Sequence, residues 1–135
     1  MPRVLIADKL SPAAIDIFKQ RGVDADVKTG LSKEELLKII NDYDGLAVRS
    51  ATKADKDVIA AAPYLKVIGR AGIGVDNVDI PAATSKGIVV MNTPFGNSIT
   101  TAEHAIALMF ALARQIPDAN AQTQAGKWPK SGFMG

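Results

Sequence analysis

Residues 65–79 read Leu-Lys-Val-Ile-Gly-Arg-Ala-Gly-Ile-Gly-Val-Asp-Asn-Val-Asp, and their order decides the fold. An apolar run at 65–68 predicts a strand, 69–74 a glycine-rich turn, and 79–85 a short helix closed by Gly87. Strand, turn and helix in that order are the repeating piece of a parallel sheet. Working towards the amino terminus, 45–48 (GLAV) predicts a strand, with a helix over 54–62 that stops at Pro63. Before these, 24–28 predicts a weaker strand. Ser32 and Glu35 then form a capping box, and Leu36, Leu37, Ile39 and Ile40 supply the buried side of that helix. The chain opens with a strand at 3–7 (RVLIA). Ser11 and Pro12 start its helix, Ala14, Ile15, Ile17 and Phe18 lie on roughly one face, and Gly22 ends it. In the other direction, 88–91 is a fifth strand, followed by a loop of turn formers at 92–98. Five consecutive β-α units argue for a doubly wound parallel α/β sheet, and the flavodoxin-like strand order 2-1-3-4-5 is expected.

The segment after that loop differs. Thr100 and Glu103 have capping-box spacing, and the helix towards Arg114 is apolar nearly all round, which predicts burial on several sides. One small sheet cannot provide that, so a domain boundary is placed at Asn97. Residues 1–97 form the sheet domain, and 98–135 a hinge, a long linking helix and a looser tail. Met91 and Phe110 are expected in the core.

The chain has 135 residues and a formal net charge of +2, with no basic run to suggest a nucleic-acid face. There are no cysteines, which excludes disulfides, thiolate metal sites and cysteine nucleophiles, and no metal site is expected. The start lacks the features of a signal peptide, and no apolar stretch approaches a membrane span, so a cytoplasmic protein is expected.

Several residues suggest chemistry. Gly72-Ile73-Gly74 follows a strand and precedes a helix, as a dinucleotide loop does, but Asn77 stands where a third glycine belongs and no acid ends the next strand. The spacing leaves two readings open, an anion cradle of backbone N–H groups or a plain turn needing positive φ. Arg49 and Arg70 fall at the carboxyl ends of adjacent strands, where open α/β sheets bind ligands, and together they favour an anion site over two solvated arginines. His104, the single histidine, lies inside the apolar helix and suits a structural or interface role. Asp8 could suggest a phospho-acceptor, but the third strand ends in Arg49-Ser50 rather than an acid, and the first loop lacks a flavodoxin's phosphate-binding residues.

Four stretches in order carry a resemblance: Val48-Arg49-Ser50-Ala51-Thr52, Gly69 through Asp79, Met91 through Ser98, and Ala102-Glu103-His104. Together they resemble the D-isomer-specific 2-hydroxyacid dehydrogenases, most closely members acting on a phosphorylated hydroxy acid. The resemblance implies that Gly72, Gly74 and the backbone of Ser50 and Ala51 hold a substrate carboxylate. It implies that Arg49 and Arg70 reach a phosphate, that Ile73 borders the nicotinamide of NAD, and that Asn97 and Ser98 lie at the hinge facing the reacting centre. Also implied is that the NAD-binding domain, the Arg, Glu and His of hydride transfer and a returning terminal helix lie further along. This chain would then be the amino-terminal substrate-binding part. No catalytic residue is assigned within it, it is expected inactive alone, and it is expected to form a homo-oligomer through the 100–114 helix. Two alternatives are a glyoxylate or hydroxypyruvate reductase of the same family, and a free-standing anion-binding module.

Overall fold

Five strands pair in parallel in the order β2-β1-β3-β4-β5 in a computed structural model that describes residues 1–134. They are β1 (Arg3–Ile6), β2 (Asp24–Val27), β3 (Gly45–Val48), β4 (Val67–Arg70) and β5 (Val89–Asn92). The connecting helices are α1 (Pro12–Gln20), α2 (Lys33–Ile39), α3 (Lys56–Ala60) and α4 (Ile80–Ser85). The order is the one the alternating pattern predicts. The chain divides into two compact units, Met1–Gly96 and Asn97–Gly135. Gly135, read as one of the tail's breakers, lies outside the described residues.

Alternating side chains send each strand's apolar residues to opposite faces. On one face Leu5, Leu46, Val48 and Ile68 pack with Leu36, Ile40, Val58, Ile59 and Ala83 from α2, α3, α4 and the turn after α2. On the other, Val4, Ile6 and Ala47 pack against Leu10, Ile15 and Phe18 in and around α1. Each large aliphatic side chain fully buried here contributes about 1.5–3 kcal/mol. Since α1 covers only the β1 and β3 side, the second face of β4 and β5 is bare within this unit, and Val89 and Met91 are exposed there.

Local chemistry places most helix starts. Ser32 and Glu35 close the predicted capping box reciprocally. Asp55 caps α3 and Asp79 caps α4 through their carboxylates. Gly22 and Gly87 take positive φ just beyond α1 and α4, a conformation that costs glycine nothing.

Four expectations are corrected. The fourth strand runs over Val67–Arg70, not 65–68, because Gly69 and Arg70 pair in register with Ala47 and Val48 while Leu65 is buried in the turn before the strand. Helix α5 (Ser98–Ala113) begins before Thr100, whose hydroxyl donates to the Asn97 carbonyl from within the first turn, so Thr100 and Glu103 form no capping box. Met91 is 54% exposed on the edge strand, beyond the reach of α1, rather than in the core. Phe110 is 63% exposed, since no residue of α5 is buried.

In the second unit, α5 is followed by α6 (Ile116–Gln124) and a short 3-10 turn over Lys130–Phe133. Between α5 and α6, Gln115 adopts a left-handed φ of 50°, which for residues other than glycine is uncommon. Among the described residues no helix is long and apolar enough to cross a membrane.

Candidate anion site at the carboxyl edge of the sheet

Strands β1, β3 and β4 are neighbours, so the loops at their carboxyl ends meet. The β1 loop carries Asp8, the β3 loop is residues 49–52, and the β4 loop is 71–77. Ladder bonds carry the pairing past the strands, with Ala7 N–H donating to the Ala47 carbonyl at 3.0 Å and Ala71 N–H to the Val48 carbonyl at 2.8 Å. Arg49, Ser50, Ala51, Arg70, Gly72, Ile73 and Gly74 therefore share one sheet edge, as the sequence suggests.

Loop 49–52 is shaped by Asp8, which is buried. Its carboxylate accepts the N–H of Arg49 at 2.6 Å, the N–H of Thr52 at 3.1 Å and the hydroxyl of Thr52 at 2.7 Å. Burial pushes the Asp8 carboxyl up. The Thr52 hydroxyl and the N–H groups of Arg49, Thr52 and Ala51 outweigh it and hold the pKa below the usual carboxylate value. Asp8, which in the sequence suggests only a phospho-acceptor, instead serves the neighbouring loop, as a carboxylate ending one strand can because it faces the loop of the strand beside it.

Arg70 lies beneath the glycine loop. Its Nε donates to Asn77 Oδ1 at 2.7 Å, and its side chain is only 11% exposed. One terminal nitrogen also lies 3.5 Å from the Asp76 carboxylate, a solvated contact of little worth. Gly72 makes room for this guanidinium. A Cβ on Gly72 would come within 2.5 Å of Arg70 Nη1, whereas a Cβ on Gly74 would meet Asp76 Oδ1 at 3.1 Å and lie at an ordinary contact distance of 3.6 Å from Arg70 Nη1. Neither glycine is among those with positive φ, so the plain-turn reading does not account for them. What they supply is close approach. Asn77, which broke the dinucleotide pattern, is buried and serves the arginine.

The Gly72 carbonyl accepts from Thr93 N–H at 3.0 Å, and the Ile73 carbonyl accepts from the Asn92 side chain at 2.8 Å, so the loop's carbonyls are engaged from β5 and beyond. The N–H groups of Ile73 and Gly74 donate to no other group among the described residues, as in a backbone anion cradle. Ile73 is 41% exposed. On the other side of Ala71 an open cleft of about 380 Å³ is lined by Lys9, Leu10, Ser11, Pro12, Arg49 and Ala71. Lys9, passed over in the sequence, thus stands with Arg49 and the first turn of α1. The edge offers two cations, a helix start and an arginine-backed glycine loop, an arrangement suited to a small dianion or a carboxylate.

The loop is not a dinucleotide site. Helix α4 begins at Ile80, well past the glycines, and β5 ends in Asn92 instead of an acid. Asn97 and Ser98 belong to the second unit. Asn97 precedes α5 and accepts at its carbonyl from Thr101 N–H, and Ser98 is the first residue of the helix. His104 is exposed on the same helix.

Known proteins resemble this chain over nearly its whole length. The model of the D-isomer specific 2-hydroxyacid dehydrogenase catalytic domain matches residues 4–127. A D-3-phosphoglycerate dehydrogenase of Archaeoglobus fulgidus is 55% identical over 98% of this chain and 25% of its own length. One from Synechocystis is 53% identical over 100% of this chain and 24% of its own. The chain thus spans about a quarter of the curated relatives it matches. A solved Pyrococcus horikoshii protein superposes with a TM-score of 0.87 at 31% identity, covering 100% of this chain and 42% of that one. NAD+-bound 3-phosphoglycerate dehydrogenase of Entamoeba histolytica gives 0.71 at 33%, covering 82% and 38%. With the family model matching nearly the whole length of the chain, and the sheet order and glycine loop already in place, this chain belongs to the D-isomer specific 2-hydroxyacid dehydrogenase family.

Proposed function

We propose that this chain is the substrate-binding portion of an NAD-dependent D-3-phosphoglycerate dehydrogenase, which oxidises 3-phosphoglycerate at C2 to 3-phosphohydroxypyruvate. The observation that carries this reading is Arg70, held beneath the glycine loop next to the Arg49 cleft. The relatives named for that activity support it. The N–H groups of Ile73 and Gly74, in the turn that Gly72 opens, with the backbone of Ser50 and Ala51, hold the substrate carboxylate. Arg49 and Arg70 hold the phosphate, bringing charge-assisted bonds that a neutral substrate would not use. Asn97 and Ser98 form the hinge that faces C2.

Ile73 is the one residue here assigned to the nicotinamide side, and its exposure suits that place. The residues of this chain do not fit the rest of NAD, for the reasons given by α4 and β5. The cofactor and the groups that move the hydride and proton are assigned to polypeptide outside this sequence, and no catalytic residue is assigned within it. The enzyme is placed in the cytoplasm, and the exposed apolar residues of α5 support a homo-oligomer formed through that helix.

Arg70→Ala in the full-length enzyme tests the reading. Losing a charge-assisted contact costs about 1.5–3 kcal/mol, which is roughly a 10- to 100-fold rise in the Michaelis constant for 3-phosphoglycerate. That for NAD should stay within about twofold. An unchanged constant for 3-phosphoglycerate would refute the phosphate assignment and favour a different 2-hydroxy acid.

A further inference from the structure

Among the described residues one carboxylate and one amide side chain are buried, Asp8 and Asn77. A buried polar group costs free energy unless its hydrogen bonds are satisfied. Here no buried side-chain nitrogen or oxygen among the described residues lacks a partner. The side-chain bonds of both residues fall on this edge of the sheet. Asp8 takes the N–H groups of Arg49 and Thr52. Asn77 Nδ2 donates to the carbonyls of the same two residues, at 2.6 Å each. Arg49 and Thr52 are thus gripped at both N–H and C=O, which fixes the two ends of the segment that carries Ser50 and Ala51. Because Asn77 Nδ2 faces two acceptors, its amide can have only one orientation, with Oδ1 towards Arg70 Nε. One primary amide therefore ties the β3 loop to the guanidinium of the β4 end. The Asn77 carbonyl further accepts from Ala54 N–H at 2.9 Å, fixing the same segment from behind.

We propose that Asn77 and Asp8 are positioning residues of the anion site: Asn77 sets the angle of the Arg70 guanidinium and, with Asp8, holds loop 49–52 rigid, so that the site is formed before substrate arrives. The inference rests on the assignment of Arg70 to substrate phosphate. Nε is occupied by Asn77, so the fork available to a ligand is the two terminal nitrogens, one of which also lies 3.5 Å from the solvated Asp76 carboxylate. Freed from Asn77, the guanidinium has several rotamers, and each misplacement of about 1 Å weakens a bidentate contact steeply.

The test is steady-state kinetics of the full-length enzyme with 3-phosphoglycerate and with D-glycerate, alongside thermal unfolding. Asn77→Ala should raise the Michaelis constant for 3-phosphoglycerate roughly 10- to 100-fold. That for D-glycerate should change at least about fivefold less, the constant for NAD stay within about twofold, and kcat at saturation be nearly kept. A purely structural role would give the reverse, with a lower melting temperature and fewer active molecules, hence lower kcat at unchanged constants, and that result overturns the proposal. Asp8→Asn keeps an acceptor for both N–H groups and should be milder than Asp8→Ala. Equal effects of the two would count against the clamp. If Asn77→Ala does not fold, Asn77→Ser serves, since it keeps a small polar side chain and buries no charge but is too short to bond both Arg70 and the two carbonyls. Its constant for 3-phosphoglycerate should rise about tenfold or more, and no rise overturns the proposal. Arg70→Ala separates the two levels. If it raises the constant and both Asn77 variants do not, positioning alone fails. If Arg70→Ala also leaves it unchanged, the phosphate assignment falls and this inference with it.

Discussion

Replacing Gly72 with alanine tests the packing of the anion loop against Arg70. An added Cβ would meet Arg70 Nη1 at 2.5 Å and Cζ at 3.3 Å. Relaxed contacts between such atoms lie near 3.5–4 Å, so the guanidinium must retreat by about 1 Å. The atoms in the way end a flexible side chain, and the backbone at Gly72 is not in the left-handed region. The stability cost is therefore that of an off-rotamer arginine, about 0.5–1.5 kcal/mol. The cost to binding is larger, because a guanidinium moved that far loses a charge-assisted contact of about 1.5–3 kcal/mol, roughly a 10- to 100-fold loss of affinity. Gly22→Ala is the matched comparison. Nothing lies within 4 Å of its added Cβ, but φ is +69°. It should destabilise by about 1–2 kcal/mol and leave binding alone. The assay pairs urea unfolding with titration of 3-phosphoglycerate into each full-length variant. A Gly72→Ala protein that binds normally, or one that loses more than about 3 kcal/mol of stability, would refute the reasoning. The first result would show that Arg70 has room to spare, and the second that the glycine serves the backbone after all.

Three further outcomes are expected. Asp8 has its pKa lowered on folding, so its contribution is full above the ordinary carboxylate value of about 4 and is lost as pH falls through the lower folded value. The urea midpoint of wild type relative to Asp8→Asn should converge as pH drops below about 4, and a gap constant down to about pH 2 would contradict it. Ser32→Ala removes the side-chain half of the α2 capping box, whose Oγ accepts from Glu35 N–H at 3.2 Å. It should cost about 0.5–2 kcal/mol in chemical unfolding, and no loss would mean that helix start is set by packing alone. Helix α5 exposes Leu108 (57%), Met109 (62%), Phe110 (63%) and Leu112 (81%), so light scattering on a dilution series of this chain should show concentration-dependent association. A constant monomer mass would refute it.

The sheet order was legible because each parallel unit announces itself twice, by an apolar run and by a capped helix. Register was harder. Leu65 looks like strand but is spent filling the turn after α3, whereas Gly69 and Arg70, which look like loop, are held in the ladder by Ala47 and Val48. A propensity scale cannot see that pairing. At the site, the arginines and glycines were readable one by one, since the ends of adjacent strands must meet. Their relation was not. Asn77 counted against a nucleotide loop by pattern, and only the geometry gives it the guanidinium to hold. Asp8 was weighed as a reactive group when it is an acceptor for a neighbouring loop. Burial of Met91 and Phe110 was inferred from hydrophobicity, which records what a residue favours and not whether a covering surface is within reach.

The uneven covering of the sheet has a consequence for how ligand and fold are coupled. Strands β1 and β3 are packed on both faces, whereas β4 and β5 have one face bare within the first unit. Opening should therefore be cheapest from the β5 edge inwards, and amide protons there should exchange with solvent sooner than those of β1 and β3. The proposed anion site straddles this gradient, with loop 49–52 on the well-protected side and Arg70 with its glycines on the looser one. A ligand that grips both binds only when the looser half is closed, so part of its binding free energy appears as protection of β4 and β5. Occupancy and local order at that edge are then two readings of one equilibrium.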